Sequence, residues 1–215
     1  MSVWTYRLGH DWGFAPNPFF GVCTLACCKS NIRQSAKVDD YVFGVGGADS
    51  KRPNRAIFWM KVERIMSMDE YWRAAEFQRK KPAPNAPLKR WVGDNIYHQD
   101  ETGRYVQEDS FHALPGGFEN ADTLNSDTGR AGHRDKVLIG REFTYWGAEG
   151  PIVPDHLQRF ICENRDREKR TDPDEVAAFV DWINTAQRGR IGWPTEWSYQ
   201  DPKFFRSQLP VLNAA

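Results

Sequence analysis

Residues 9–33, GHDWGFAPNPFFGVCTLACCKSNIR, constrain this chain more than any other stretch. Pro16 and Pro18 fix the backbone on both sides of Asn17, and His10, Asp11, Cys23, Cys27, Cys28, Lys29 and Arg33 crowd the same segment. Proline locks φ and removes a donor, so a loop this stiff and this polar is poor material for a plain connection. It reads as a shaped polar site held between two packed elements.

The flanking patterns supply the elements. Residues 4–8 alternate like an opening strand, and 19–28 reads as a strand running into a helix that ends near Gln34. DDYVFGV at 39–45 is a strand closed by Gly46-Gly47. AIFWMKVERI at 56–65 is the clearest strand, with Ile57, Trp59 and Lys61 on one face and Phe58, Met60 and Val62 on the other. Ser67-Met68-Asp69-Glu70 fits a capping box, opening a helix to Lys80 that the prolines of 81–87 stop. A hairpin of 94–98 and 104–106 turns at Glu101-Thr102-Gly103, and 115–135 reads as a long loop and a candidate lid. KVLIGREFTYW at 136–146 is one strong strand with Gly140 as a bulge. Helices are expected at 154–163 and from Asp172-Pro173 onward, where Val176, Phe179, Val180 and Ile183 recur at helical spacing. The aromatic, proline-bearing tail from Gly189 is expected to wrap the body. The resulting expectation is a single α+β domain over 1–215, with a mixed or antiparallel sheet and flanking helices. Strands concentrate before residue 146, and helices are enriched in the C-terminal third.

Charge limits the partners. Lys and Arg number 29 and Asp and Glu number 29, so the formal net charge is zero. Proteins that grip long duplexes carry a basic excess, so neutrality points to one nucleotide, one flipped base or a short strand on a local patch. No apolar run approaches membrane-spanning length, the N-terminus lacks a signal pattern, and four cysteines, two of them adjacent, make no disulfide framework. A cytoplasmic protein with reduced thiols and no membrane partner is the expectation.

The run HDWGFAPNPFFGVCTLACCKSNIRQSAKVDDYVFGVGG, with the later KVLIGREFTYWG, resembles the bacterial and phage family called nucleotide modification associated domain, type two. The resemblance extends over nearly the whole chain. It implies an α+β domain that works in nucleic-acid base modification or handles modified nucleotides; it implies no mechanism. DDYVFGVGG and AIFWMKVERI also look like two strands of a PUA/EVE-type barrel, a fold that binds modified bases in an aromatic pocket.

Particular residues carry the functional expectation. Asp11 and Asn17 have the donors and acceptors to read the polar edge of a base, or else to tie down their own loop as Asx turns. Lys29 and Arg33, four apart, share a helical face and could hold a phosphate, or lie solvated on the surface. Trp12 is the leading stacking platform and Tyr145 a further aromatic candidate beside Tyr6, Trp59 and Trp146; core packing is the commoner use, especially for Trp59 and Phe143. Cys23, Cys27 and Cys28 with His10 match no standard zinc spacing, so no metal is expected, and nothing names a cofactor. Cys28 beside Lys29 is a candidate nucleophile, with His10 or Asp11 as general acid/base. Gly44-Val45-Gly46-Gly47 reads as a tight turn, since it lacks the lysine of a P-loop. Basic clusters at 79–81, 89–90 and 165–170 are candidate parts of a nucleic-acid patch, the last interrupted by acidic residues.

These features favour a nucleotide- or modified-base-recognising domain in a modification system, whose partner is a nucleotide or short nucleic acid segment. An enzyme acting directly on the base, by transfer or glycosidic cleavage, and a small interaction subunit that docks other proteins of such a system are the alternatives.

Overall fold

A computed structural model describes residues 1–83, 86–129, 132–162 and 167–197. Its elements stack in layers. The first sheet has six strands among the described residues, in the order β10-β1-β3-β4-β9-β11. These are β1 (Val3–Leu8), β3 (Tyr41–Gly46), β4 (Ala56–Lys61), β9 (Phe143–Tyr145), β10 (Glu168–Arg170) and β11 (Gly189–Arg190). The β1–β3 and β9–β11 pairs are parallel and the other three antiparallel. A second, antiparallel sheet joins β2 (Cys23–Leu25), β8 (Val137–Gly140) and β5 (Arg64–Met66).

Alternation along the large sheet explains the layering. Val3, Tyr41, Phe43, Val45 and Trp59 pack with Val176, Phe179 and Ile183 of helix α5 (Pro173–Asn184). Trp4, Tyr6, Val42, Phe58 and Met60 point the other way, onto Cys23, Leu25 and Leu138 of the small sheet. The outer face of that small sheet, with Val137 and Ile139, is covered by helix α2 (Met68–Arg73), Phe77 after it and the residues around 92–97 and Leu124.

Two expected strands turn out to be corners. The 56–65 segment divides between β4 and β5, and 136–146 between β8 and β9, so each passes from one sheet to the other. Gly140 marks the corner: an added Cβ would lie 2.1 Å from the Lys61 carbonyl oxygen. Only a residue without a side chain admits that approach, so the glycine is a crossing point between sheets and not a bulge. The two sheets stack as a sandwich whose strands do not close on themselves, so the barrel expectation is corrected.

Helices are also distributed differently than expected. Besides α5 there are α1 (Ser30–Ser35), α2, α3 (Leu88–Trp91) and α4 (Ala121–Thr128), so the enrichment toward the C-terminal third is not seen. The Ser67 capping box is present with both of its bonds, but the α-helix stops at Arg73 and a tighter 3₁₀ segment, Ala75–Lys80, follows. The 154–163 segment is likewise 3₁₀ over Asp155–Phe160, with position 163 outside the described residues. Most consequential, the 115–135 loop contains α4: Asn120 caps it, its side chain accepting from the N–H groups of Asp122 and Thr123. Residues 130–131 of that stretch lie outside the described residues. The 94–106 hairpin is present as β6 (Tyr97–Gln99) and β7 (Tyr105–Gln107). Among the described residues no helix is long and apolar enough to cross a membrane.

Candidate active site

After β2 the chain turns through Cys28 and Lys29, both with left-handed backbones (φ 57° and 41°), and enters α1. Two consecutive non-glycine residues in that region cost roughly 1–2 kcal/mol each, so the surroundings must enforce the turn. Arg33 does so. Its side chain is fully buried, and Nε donates to the Cys28 carbonyl at 2.8 Å. The remaining nitrogens donate to the carbonyls of Arg134, Lys136 and Asp127, at 3.1, 2.6 and 2.9 Å, and to Asp127 Oδ1 at 3.2 Å. The strand–turn–helix path lifts the Cys28 side chain out of the sheet, a geometry used to expose nucleophiles.

Opposite that side chain lie His112 and Asp127. Cys28 Sγ is 3.4 Å from His112 Nε2, and His112 Nδ1 is 3.2 Å from Asp127 Oδ2. Tyr97 donates its hydroxyl to the same Oδ2 at 2.9 Å, and Phe14 sets its ring edge-on to the imidazole with centroids 4.7 Å apart. Gln107 braces the far side, donating to the Tyr97 and Thr123 hydroxyl oxygens. Burial of His112 pulls its pKa down, but its hydrogen bonds to Asp127 and Cys28 and its electrostatic coupling to them outweigh this and push it up to about 10. Burial would raise the Asp127 carboxyl; His112 and the Arg33 charge more than compensate and hold it below the ordinary carboxylate range. The arrangement is a thiol, an imidazole that stays charged at neutral pH, and a buried carboxylate that orients it.

A cavity of about 550 Å³ opens over this triad, within the size range of small-molecule sites. Lys29 from the turn, Ser30 and Asn31 at the start of α1, and Thr123 and Ser126 from α4 line it along with the triad. Positions 123, 126 and 127 share one helical face, which is why α4 presents Asp127 and two hydroxyls together.

Cys27 Sγ, a His112 nitrogen and an Asp127 oxygen lie within 4.8 Å of one another, a donor set able to hold a soft divalent ion. Their other bonds favour the triad. Cys27 is fully buried, burial keeps it a neutral thiol, and it donates to the Asp94 carbonyl at 3.3 Å. Both His112 nitrogens already face protein partners.

The residues singled out in the sequence divide among several networks. Cys28 and Lys29 line the cavity, and Lys29 also places its ammonium 4.9 Å from the Tyr6 ring centre. Arg33 stands behind them, its guanidinium taken up by protein oxygens. Asp11 is buried elsewhere: it accepts from the Tyr145 hydroxyl at 2.5 Å and from the N–H and hydroxyl of Thr195, both at 3.0 Å. Burial raises its pKa against the pull of those bonds. Tyr145 is thereby a fully buried strut of the core, and Asp11 ties the C-terminal segment down. Described to residue 197, that segment packs on the body as expected, Trp193 and Trp197 stacking toward Phe19; its remainder lies outside the described residues. His10 is exposed and pairs with Glu196. Asn17 is fully buried, donates to the Val92 carbonyl and accepts from Lys80, whose ammonium also reaches Val22 O and Thr24 Oγ1. Asp11, Asn17, Lys29 and Arg33 thus line no common cavity among the described residues. Trp12, partly buried, lies 5.7 Å from Phe111, the neighbour of His112.

His112 and Asp127 were not singled out in the sequence. A histidine that meets a cysteine in space does so without any fixed spacing. The legible signal was Asn120 followed by ADTLNSDT, a cap and first turn, which would have placed Asp127 on a helix.

A family model described as nucleotide modification associated domain 2 matches residues 1–201. The chain belongs to that family. Its role therefore lies with nucleotide modification systems, as the 10–47 and 136–147 runs implied. No curated protein and no solved structure gives a significant match.

Proposed function

We propose that this nucleotide modification associated domain is a thiol enzyme that transfers an acyl group to or from a nucleobase. Cys28 is the nucleophile, His112 the general acid and base, and Asp127 the residue that orients His112. The observation that carries the reading is the Cys28–His112–Asp127 alignment at 3.4 and 3.2 Å over a cavity of about 550 Å³. A domain that only recognises a base has no need of a thiol held on a strained turn against a charged imidazole.

In this reading the Cys28 thiolate attacks the carbonyl carbon of an amide or ester. His112 gives its proton to the departing amine or alcohol, which leaves a thioester on Cys28. His112, now neutral, takes a proton from the incoming amine or water as it attacks the thioester, and the thiolate is released. In this reading Asn31 and Ser126 of the cavity wall donate to the developing oxyanion.

The test is mass spectrometry of the intact protein after incubation with acylated and aminoacylated nucleosides. An added acyl mass on wild type that maps to Cys28 and is missing from Cys28→Ser supports the reading. Unchanged mass across the panel, with nucleoside binding that is equal in Cys28→Ser, returns the domain to recognition alone.

A further inference from the structure

A second cleft, of about 530 Å³, is lined by Arg79, Lys89, Arg141, Arg188 and Arg190 with no carboxylate among its lining residues. All five side chains are exposed, and they come from segments far apart in the chain. Arg79 stands on the 3₁₀ segment before Lys80, Lys89 on α3, Arg141 at the corner between β8 and β9, and Arg188 and Arg190 at β11. Convergence of this kind is not a run of solvated charge along one helix; the fold assembles it.

Three of these cations lie over aromatic rings. Arg79 lies 4.4 Å from the Phe20 ring centre, Arg188 4.6 Å from Trp59 and Arg190 4.0 Å from Trp193. Trp193 is 48% exposed and continues a stack: its ring lies 5.6 Å from Trp197, itself 5.4 Å from Phe19. Phe19, which also lies 6.5 Å from Trp193, closes a three-ring cluster, and the Arg190 guanidinium lies over the Trp193 ring of that cluster. Unpaired bases stack on guanidinium planes as on rings, while neighbouring cations track the phosphates. Glu76 and Glu142 sit at the margin and hold Arg141 and Arg188 at 2.8 and 3.4 Å.

We infer that this cleft binds a single-stranded nucleic acid segment, its phosphodiester backbone on Arg79, Lys89 and Arg190 and a base against the Arg190–Trp193 pair. A duplex keeps its base faces covered and would need a longer basic footprint than a neutral chain offers. An acidic peptide would use the cations and leave the aromatic stack idle. The Phe14–Phe20 stretch connects the two sites: Phe14 touches His112, and Phe19 and Phe20 line the cleft. The inference does not rest on the chemistry assigned to Cys28.

Fluorescence anisotropy of a labelled oligothymidylate tests it, with an equal-length duplex and a polyglutamate peptide as competitors. Lys89→Glu and Trp193→Ala are expected to weaken strand binding about tenfold each, and Lys89→Glu to lower the slope of log K against log salt by about 0.7. Lys169→Glu, a remote basic site, should bind as wild type does. The inference falls if Lys169→Glu weakens binding as much as Lys89→Glu. It also falls if polyglutamate or duplex competes as well as the unlabelled strand, or if Trp193→Ala, with a native urea midpoint, binds unchanged.

Discussion

The charge on His112 should be measurable as a pH dependence of stability. Replacing His112 by Gln keeps a side chain that can donate to Asp127 and removes the titration. In the folded protein the imidazole holds its proton to about pH 10, against an ordinary histidine value near 6.5 in the unfolded chain. The folded state thus binds the proton more tightly, and the stabilisation is complete below about pH 6.5 and is lost as pH rises toward 10. A shift of that size corresponds to about 5 kcal/mol in all, or about 1.4 kcal/mol per pH unit across the window. Urea denaturation of wild type and His112→Gln at intervals from pH 6 to 10 reads this as the change with pH in the difference between the two proteins. The wild-type advantage should shrink steadily over that range. A constant difference between the two proteins would mean that the imidazole gains no charge stabilisation in the fold, and its role as a charged partner of Cys28 and Asp127 would be lost.

Four further outcomes follow from the same geometry. Iodoacetamide should alkylate Cys28 ahead of the buried Cys23 and Cys27, and His112→Ala should slow that step about tenfold or more, read by peptide mass mapping. Asp127 acts on the acid side: its carboxyl is held below the ordinary value, so its contribution is present above about pH 4 and is lost as pH falls through its lowered pKa. Asp127→Asn should flatten the acid limb of the melting curve. Arg33→Met leaves the Asp127 carboxylate and several carbonyls without their buried donor, so a loss of about 3–5 kcal/mol is expected in urea titration, with the Cys28 turn relaxed. Gly140→Ala forces Cβ against the Lys61 carbonyl and should cost about 1–3 kcal/mol, seen as a lowered Tm.

How much of this was legible in the sequence depends on whether the controlling interaction is local. The Ser67 capping box, the Asp172 cap and the 97–107 hairpin are decided within a few residues, and each stands where its residues indicate. The 56–65 and 136–146 segments look like single strands because apolar character runs through them unbroken. Their division depends on one sheet stacking on another, with Gly140 at a contact to Lys61 some eighty residues away, and periodicity carries no trace of that. The same distinction runs through the site. Cys28, Lys29 and Arg33 stood out because they are dense in one stiff segment, and they do meet at one turn. Yet Arg33 looked like a phosphate ligand because, four places from Lys29, it would share one helical face with it. Its burial is set by three carbonyls and a carboxylate contributed from residues 127–136. Asn17 and Asp11 are polar for a related reason: buried polar groups around a proline-rich loop crossing the core need partners, so Lys80 donates to the Asn17 carbonyl and the Asp11 carboxylate accepts from the Thr195 N–H. What made residues 9–33 conspicuous is therefore two requirements laid over each other, a buried scaffold and a thiol presented by it. The structure separates them by asking which polar side chains reach a cavity and which are consumed by the backbone.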